Sequence, residues 1–236
     1  MIFISTKKDK IRISVIGGNG NGVTGSCTYI NFLDYHMLFE FGMIQDKHTV
    51  LDNYNANKDL IKKIKPSKIN YIFVGHCHCD HIGNIPALYK NKNCHAEIIV
   101  PSGCKKILQI VWMDSAFINQ RDSEYLNMKY KKNTPPLYTE EDVSTALQYV
   151  KEFDELTVIK LNDDIGFKYI PAGHILRSQQ MELYIYRGET CKKIGFTSDL
   201  GNLYIAEHKF FIEKFESITS CDILFGECTY ADPNRH

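Results

Sequence analysis

The chain has 236 residues, 44% of them hydrophobic and 24% charged, which suits one domain with its own core and excludes wholesale disorder. Its 28 Lys and Arg balance 28 Asp and Glu, so a strongly basic nucleic-acid wrapper is excluded, although a local basic channel is not. No apolar run nears the roughly 18 residues that cross a bilayer, the N-terminal charges follow the apolar stretch instead of preceding it, and eight scattered cysteines read as reduced thiols; a cytoplasmic protein with no membrane contact is expected.

Strands are expected at residues 11–16, 27–32 and 37–41, with turn residues at 31–34. Leu60, Ile61 and Ile64 give helical spacing over 57–65, stopped by Pro66. The continuous apolar run 69–74 reads as a strand buried on both faces. A helical turn at 85–89 and a strand at 97–100 follow. Ser102 caps a helix from about 103 to 119, and Thr139 opens another with a Thr-x-x-Asp box and a stripe of Val143, Ala146, Leu147 and Val150. Further strands fall at 157–161, 167–170, 181–186 and 193–197, the last pair turned at Gly188. A helix over 203–215 precedes a final strand at 222–225. Strands outnumber helices, so helices outside a largely antiparallel or mixed sheet system are expected.

The densest chemistry is Gly75-His76-Cys77-His78-Cys79-Asp80-His81, directly after the buried strand. In an extended segment His76, His78 and Asp80 project to one side, and a turn permitted by Gly83 brings His81 round. Imidazole nitrogen with carboxylate oxygen is a ligand mix for zinc or another borderline ion. Three imidazoles and a carboxylate exceed what one open tetrahedral site takes, which points to two adjacent metals. Cys77 and Cys79 face the other way and read as core fillers. His174, after the strand at 167–170, and Asp199, after that at 193–197, repeat the arrangement of an apolar strand followed by a ligand beside glycine. Glu227 follows a third such strand and could hold a ligand imidazole. His36, His48, His95 and His208 have no comparable context. Gly20-x-Gly22-x-x-Gly25 fits a dinucleotide fingerprint in letters only, because a strand and not a helix follows, so it reads as a hairpin loop. Lys62, Lys63, Lys65 and Lys68 read as a solvated face.

These pieces resemble the β-CASP branch of the metallo-β-lactamase superfamily, RNA-processing nucleases similar to the cleavage and polyadenylation endonuclease and its prokaryotic relatives. The superfamily's H-x-H-x-D-H stands at His76, His78, Asp80 and His81. The branch's "LYTEEDV", "AGHILGS", "GDL" and "ESTYG" segments have counterparts beginning at Leu137, Ala172, Ser198 and Glu227. The resemblance implies an α/β (α+β) fold, an αββα sandwich over residues 1–236. It implies two Zn2+ ions, or Mn2+: His76, His78 and His174 on one, Asp80 and His81 on the other, Asp199 on both, with Glu227 in support. It further implies RNA, or single-stranded DNA, as partner, and hydrolysis of the phosphodiester by a hydroxide that two metals activate, with Asp80, Asp199 and Glu227 as catalytic residues. A small-molecule hydrolase of thioester or lactam type on the same fold, and a weakly active scaffold, are the alternatives.

Three positions depart from the branch: Gly75 replaces Thr or Ser, Arg177 replaces the glycine of "GHILGS", and Ser198 that of "GD". Arg177 is expected to alter access or clamp a phosphate. The chain stops at His236, before the branch's inserted domain, so an incomplete C-terminal end and a missing ligand for the second metal are expected, with His236 read as a terminal residue. An uncovered edge would then invite self-association or a partner chain.

Overall fold

The computed structural model describes residues 2–5, 10–18, 22–131, 133–154, 156–201 and 214–229. They form two compact units, Met1–Val100 with Lys105–Lys151, and Pro101–Cys104 with Glu152–His236. The described elements make a mixed α/β fold with two sheets, the class expected.

The first sheet begins as an antiparallel meander of β1 (Ile2–Ser5), β2 (Lys10–Gly17), β3 (Cys27–Phe32) and β4 (Tyr35–Phe39). β2 alternates as a half-buried strand should, with Ile11 and Ile13 inward and Lys10 and Arg12 outward. β5 (Tyr71–Phe73) and β6 (Glu97–Pro101) then join parallel to β4, and β7 (Val150–Phe153) completes the seven strands. Ile72 and Phe73 are fully buried, consistent with a parallel strand covered on both faces. The Gly-rich loop joins β2 to β3 as a hairpin, as expected, with residues 19–21 outside the described set.

Among the described residues five α-helices belong to this sheet's part of the chain. α1 (Val50–Lys62) starts seven residues before the predicted 57, because Thr49 accepts the Asp52 N–H as an N-cap, a signal stronger than the weak apolar stripe around it. α2 (Cys79–Ile82) and α3 (Ile85–Leu88) are single turns. α4 (Cys104–Tyr130) runs well past the predicted end at 119; nothing from 104 to 130 is Gly or Pro, and no breaker stops it. Its indole Trp112 Nε1 donates to the Ile82 carbonyl of α2 at 3.1 Å. α5 (Glu140–Gln148) opens with the expected capping box of Thr139 and Asp142.

The second sheet has the order β12-β11-β10-β9-β8, from β8 (Ile159–Lys160), β9 (Ile165–Pro171), β10 (Gln179–Arg187), β11 (Thr190–Phe196) and β12 (Ile223–Phe225). All neighbours are antiparallel except β12, which lies parallel to β11. Gly188, at φ +56°, turns β10 into β11. Phe167, Tyr169, Met181, Leu183 and Phe196 form its buried face. The helix expected at 203–215 falls largely on residues 202–213, outside the described set, as does His236.

Candidate metal centre

In the first unit the candidate ligands gather because β4 and β5 run parallel. Their carboxyl ends share one edge of the sheet, so the segment after β4 meets the segment after β5. The Glu40 N–H donates to the Phe73 carbonyl at 2.8 Å, Phe41 N–H to His81 at 2.9 Å, and Met43 N–H to Cys79 at 3.0 Å. Ser26 N–H adds a bond to the Asp80 carbonyl at 2.8 Å. The residues from Cys79 to His81 are thus sewn down by backbone bonds from two other segments.

This arrangement corrects the expected geometry. The chain is extended only to His78, which takes the N-cap position with φ −70° and ψ 146°; Asp80 and His81 already lie in the helical turn α2. An acidic side chain in a first turn complements the helix dipole, which favours starting the helix there over continuing the strand. Gly83 is also not needed for its backbone freedom, since its φ is −65°. It is needed for space: a Cβ there would lie 2.5 Å from the Cys79 carbonyl oxygen. Gly42 is tighter still, with a Cβ position 1.6 Å from the Asp80 carbonyl oxygen.

The side chains form two pairs. His76 Nε2 lies 3.1 Å from His78 Nδ1. His81 Nε2 lies 3.6 Å from Asp80 Oδ2. Behind them sits Glu40, only 1% exposed, which the sequence reading passed over. Its Oε2 accepts from Ser26 Oγ at 2.6 Å and is 2.6 Å from His81 Nδ1, while Oε1 stands 4.0 Å from His76 Nδ1. Glu40, His76 and His81 offer atoms within 4.8 Å of one another. With Oε2 already shared by Ser26 and His81, Glu40 acts as the support that sets the ring, not as a further ligand. A carboxylate buried inside Met37-Leu38-Phe39-Glu40-Phe41 was the available signal.

Cys77 is buried, as a core filler should be. Cys79 Sγ stands 3.6 Å from Ser115 Oγ, and burial pushes its thiol above the ordinary value, the Ser115 bond offsetting part of the rise. Both observations oppose thiolate ligation. Below the pairs, Asn84 Nδ2 donates to the Gly42 carbonyl at 2.7 Å and to Asn57 Oδ1 at 2.8 Å, fixing α1 to the same loop.

In the second unit, His174 and Asp199 follow β9 and β11, neighbours of β10 that run in the same direction, and His174 Nε2 lies 3.7 Å from Asp199 Oδ2. Gly201 N–H donates to the Ala172 carbonyl at 2.9 Å, and a Cβ on Gly201 would lie 1.7 Å from the Gly173 carbonyl oxygen. Ser178 Oγ accepts the N–H groups of His174 and Ile175 at 2.9 and 3.1 Å. Glu227 is exposed and holds no imidazole among the described residues. Its carboxylate accepts the Leu200 N–H at 3.0 Å, so it steadies the loop that carries Asp199. Arg177 at φ +59° and Ser198 at φ +52° both occupy the left-handed region where glycine is at ease, the two positions where the resembling family has glycine. Arg177 Nε donates to the Ser102 carbonyl at 2.6 Å.

The donor sets suit a borderline divalent ion. Two nitrogens on one tetrahedral zinc stand roughly 3.4 Å apart at bond lengths of about 2.05 Å, and the His76–His78 separation of 3.1 Å is close to that span. The imidazole–carboxylate separations of 3.6 and 3.7 Å in the two units are of the same size.

Comparison with known proteins agrees with the geometry. Residues 49–161 match the family described as the metallo-β-lactamase superfamily. An RNase J-like protein of Methanocaldococcus jannaschii is 28% identical over 173 residues, 73% of this chain and 34% of that protein. Cleavage and polyadenylation specificity factor subunit 3-I of Arabidopsis thaliana is 22% identical over 173 residues, 73% of this chain and 22% of the relative. Endoribonuclease YSH1 of Yarrowia lipolytica is 23% identical over 214 residues, 90% of this chain and 23% of the relative. The chain therefore spans about a third of the first relative and under a quarter of the other two.

Proposed function

The chain carries a metallo-β-lactamase domain, and from that premise we propose that it is a metal-dependent hydrolase cleaving RNA phosphodiester bonds. In this reading residues 1–236 act as one such domain holding two divalent ions, zinc or manganese. His76, His78, Asp80, His81, His174 and Asp199 are the residues that would hold them. The observation that carries the reading is His81, gripped at Nδ1 by the buried Glu40 and facing Asp80 with Nε2. That contact orients the ring, the support typical of a metal-binding histidine. The names of the relatives, an RNase J-like protein and an endoribonuclease, favour RNA over single-stranded DNA and over a small thioester or lactam.

Bound divalent ions supply Lewis acidity at the phosphoryl oxygens and lower the pKa of water to near neutrality. The chain's own groups do the rest. Asp80 orients the nucleophile, Glu40 keeps His81 from rotating, and Glu227 holds the Leu200 N–H so that Asp199 keeps its position.

The test is metal content by elemental analysis together with cleavage of labelled RNA, labelled single-stranded DNA, and a chromogenic ester and lactam, each with and without chelator. Chelator-sensitive loss of RNA alone is expected, abolished in His76→Ala and Asp199→Ala with their metal. Glu40→Gln is expected to weaken zinc affinity by about 10- to 100-fold. Unchanged metal content in the first two variants would sink the metal reading; turnover of the ester or lactam but not RNA would move the chain to the small-molecule class.

A further inference from the structure

Helix α4 is apolar on two opposite faces. Leu108, Trp112, Ala116 and Leu126 are buried. Around the helix from them, Ile110, Phe117, Ile118, Tyr125 and Met128 are exposed, Ile110 at 71% and Met128 at 76%. A helix apolar all round belongs between two layers, and exposed apolar surface on this scale marks an interaction face.

The charges on that face indicate what covers it. Asp114 and Arg121 lie seven residues apart, two turns along the same stripe, and neither has an ion-pair partner among the described residues. A second copy of α4 laid antiparallel, with a two-fold axis beside the Phe117–Ile118 peptide, sets Asp114 against Arg121 twice. The same register sets Ile110 against Tyr125 twice and Phe117 against Ile118 twice. The parallel arrangement sets Asp114 on Asp114 and Arg121 on Arg121, which repels. In the antiparallel register Asp114 and Arg121 attract across the seam and only Lys106 and Lys129, at its ends, meet as like charges, so the antiparallel orientation is the one that suits an isologous dimer.

We propose that the outer face of α4 is the seam of a homodimer, formed by antiparallel contact of the Ile107 to Met128 stretch over about 32 Å. This inference is independent of the proposed chemistry, since no metal ligand lies on the helix. It also departs from the sequence expectation, which placed self-association at an uncovered C-terminal edge.

The test is sedimentation of the 236-residue chain across concentration, with charge-reversed variants checked by circular dichroism. Asp114→Arg places two positive charges on the face and Arg121→Asp two negative ones, so each alone is expected to weaken dimerisation by about tenfold or more. The double variant restores the opposed pairs and is expected to recover the dimer. Mixing the two single variants is expected to give a heterodimer. A wild-type chain that stays monomeric at ~100 μM, well above the weak micromolar range, overturns the proposal and leaves the face to a different partner. A dimer indifferent to both reversals overturns it equally, because association then uses another surface.

Discussion

Ser198 and Arg177 show how single residues carry information that the letters obscure. As letters they are departures from a family pattern; as conformations they are two side chains held at positive φ where glycine would be relaxed. Left-handed backbone costs a non-glycine residue about 1–2 kcal/mol. Ser198→Gly is therefore expected to raise stability by about 1 kcal/mol, less the extra freedom glycine has when unfolded. Arg177→Gly gains the same relief but loses the bond from Nε to Ser102, so it should fall below Ser198→Gly. Urea unfolding of the two variants checks the order, and a destabilised Ser198→Gly would show that the hydroxyl, not the backbone, governs that turn. Glu40 teaches the opposite lesson. His76, His78, Asp80 and His81 stand within six residues and announce themselves, whereas Glu40 meets His81 from 41 positions away and is visible only as an acid in an apolar run.

Elements were legible where period and cap agreed. The box of Thr139 and Asp142 and the apolar run before Gly75 gave α5 and β5 nearly to their bounds. They were misjudged where a cap worked without a stripe, as at Thr49, and where a helix simply met no breaker, as α4 does after Asn119. Nor could the letters show that α2 begins before Asp80, since that depends on backbone bonds from Ser26, Phe41 and Met43. The tightness of that seam is testable. Gly42→Ala puts a methyl 1.6 Å from the Asp80 carbonyl oxygen, so α2 must move. A loss of about 1–3 kcal/mol from overpacking is expected, together with weakened zinc binding. Gly188→Ala, where nothing lies within 4 Å, should cost only the left-handed penalty of about 1 kcal/mol and leave zinc binding alone. Thermal melts and zinc titrations on both variants separate crowding from conformation.

For the whole molecule, a metal site whose proposed ligands come from widely separated stretches would couple metal binding to folding. A metal that binds the native state at 100 times its Kd adds about 2.7 kcal/mol to stability. Zinc is accordingly expected to raise the melting temperature, a chelator to reverse the rise, and His76→Ala to abolish it. A melting temperature indifferent to zinc in the unaltered chain would count against a preformed site. No helix among the described residues is long and apolar enough to cross a membrane. The class of fold, two sheets with helices, was legible from the succession of strands; the division into two compact units was not, because it depends on contacts far apart along the chain.

The parallel alignment of β4 with β5 has a consequence in time as well as in space. The meander from β1 to β4 and the β10–β11 hairpin join strands that are neighbours along the chain, so they can close early. Bringing Glu40 to His81 closes a loop of 41 positions through the crossover that carries α1. The imidazole is thus expected to be gripped late on the folding route, with much of the hydrophobic surface buried before the proposed site could retain an ion.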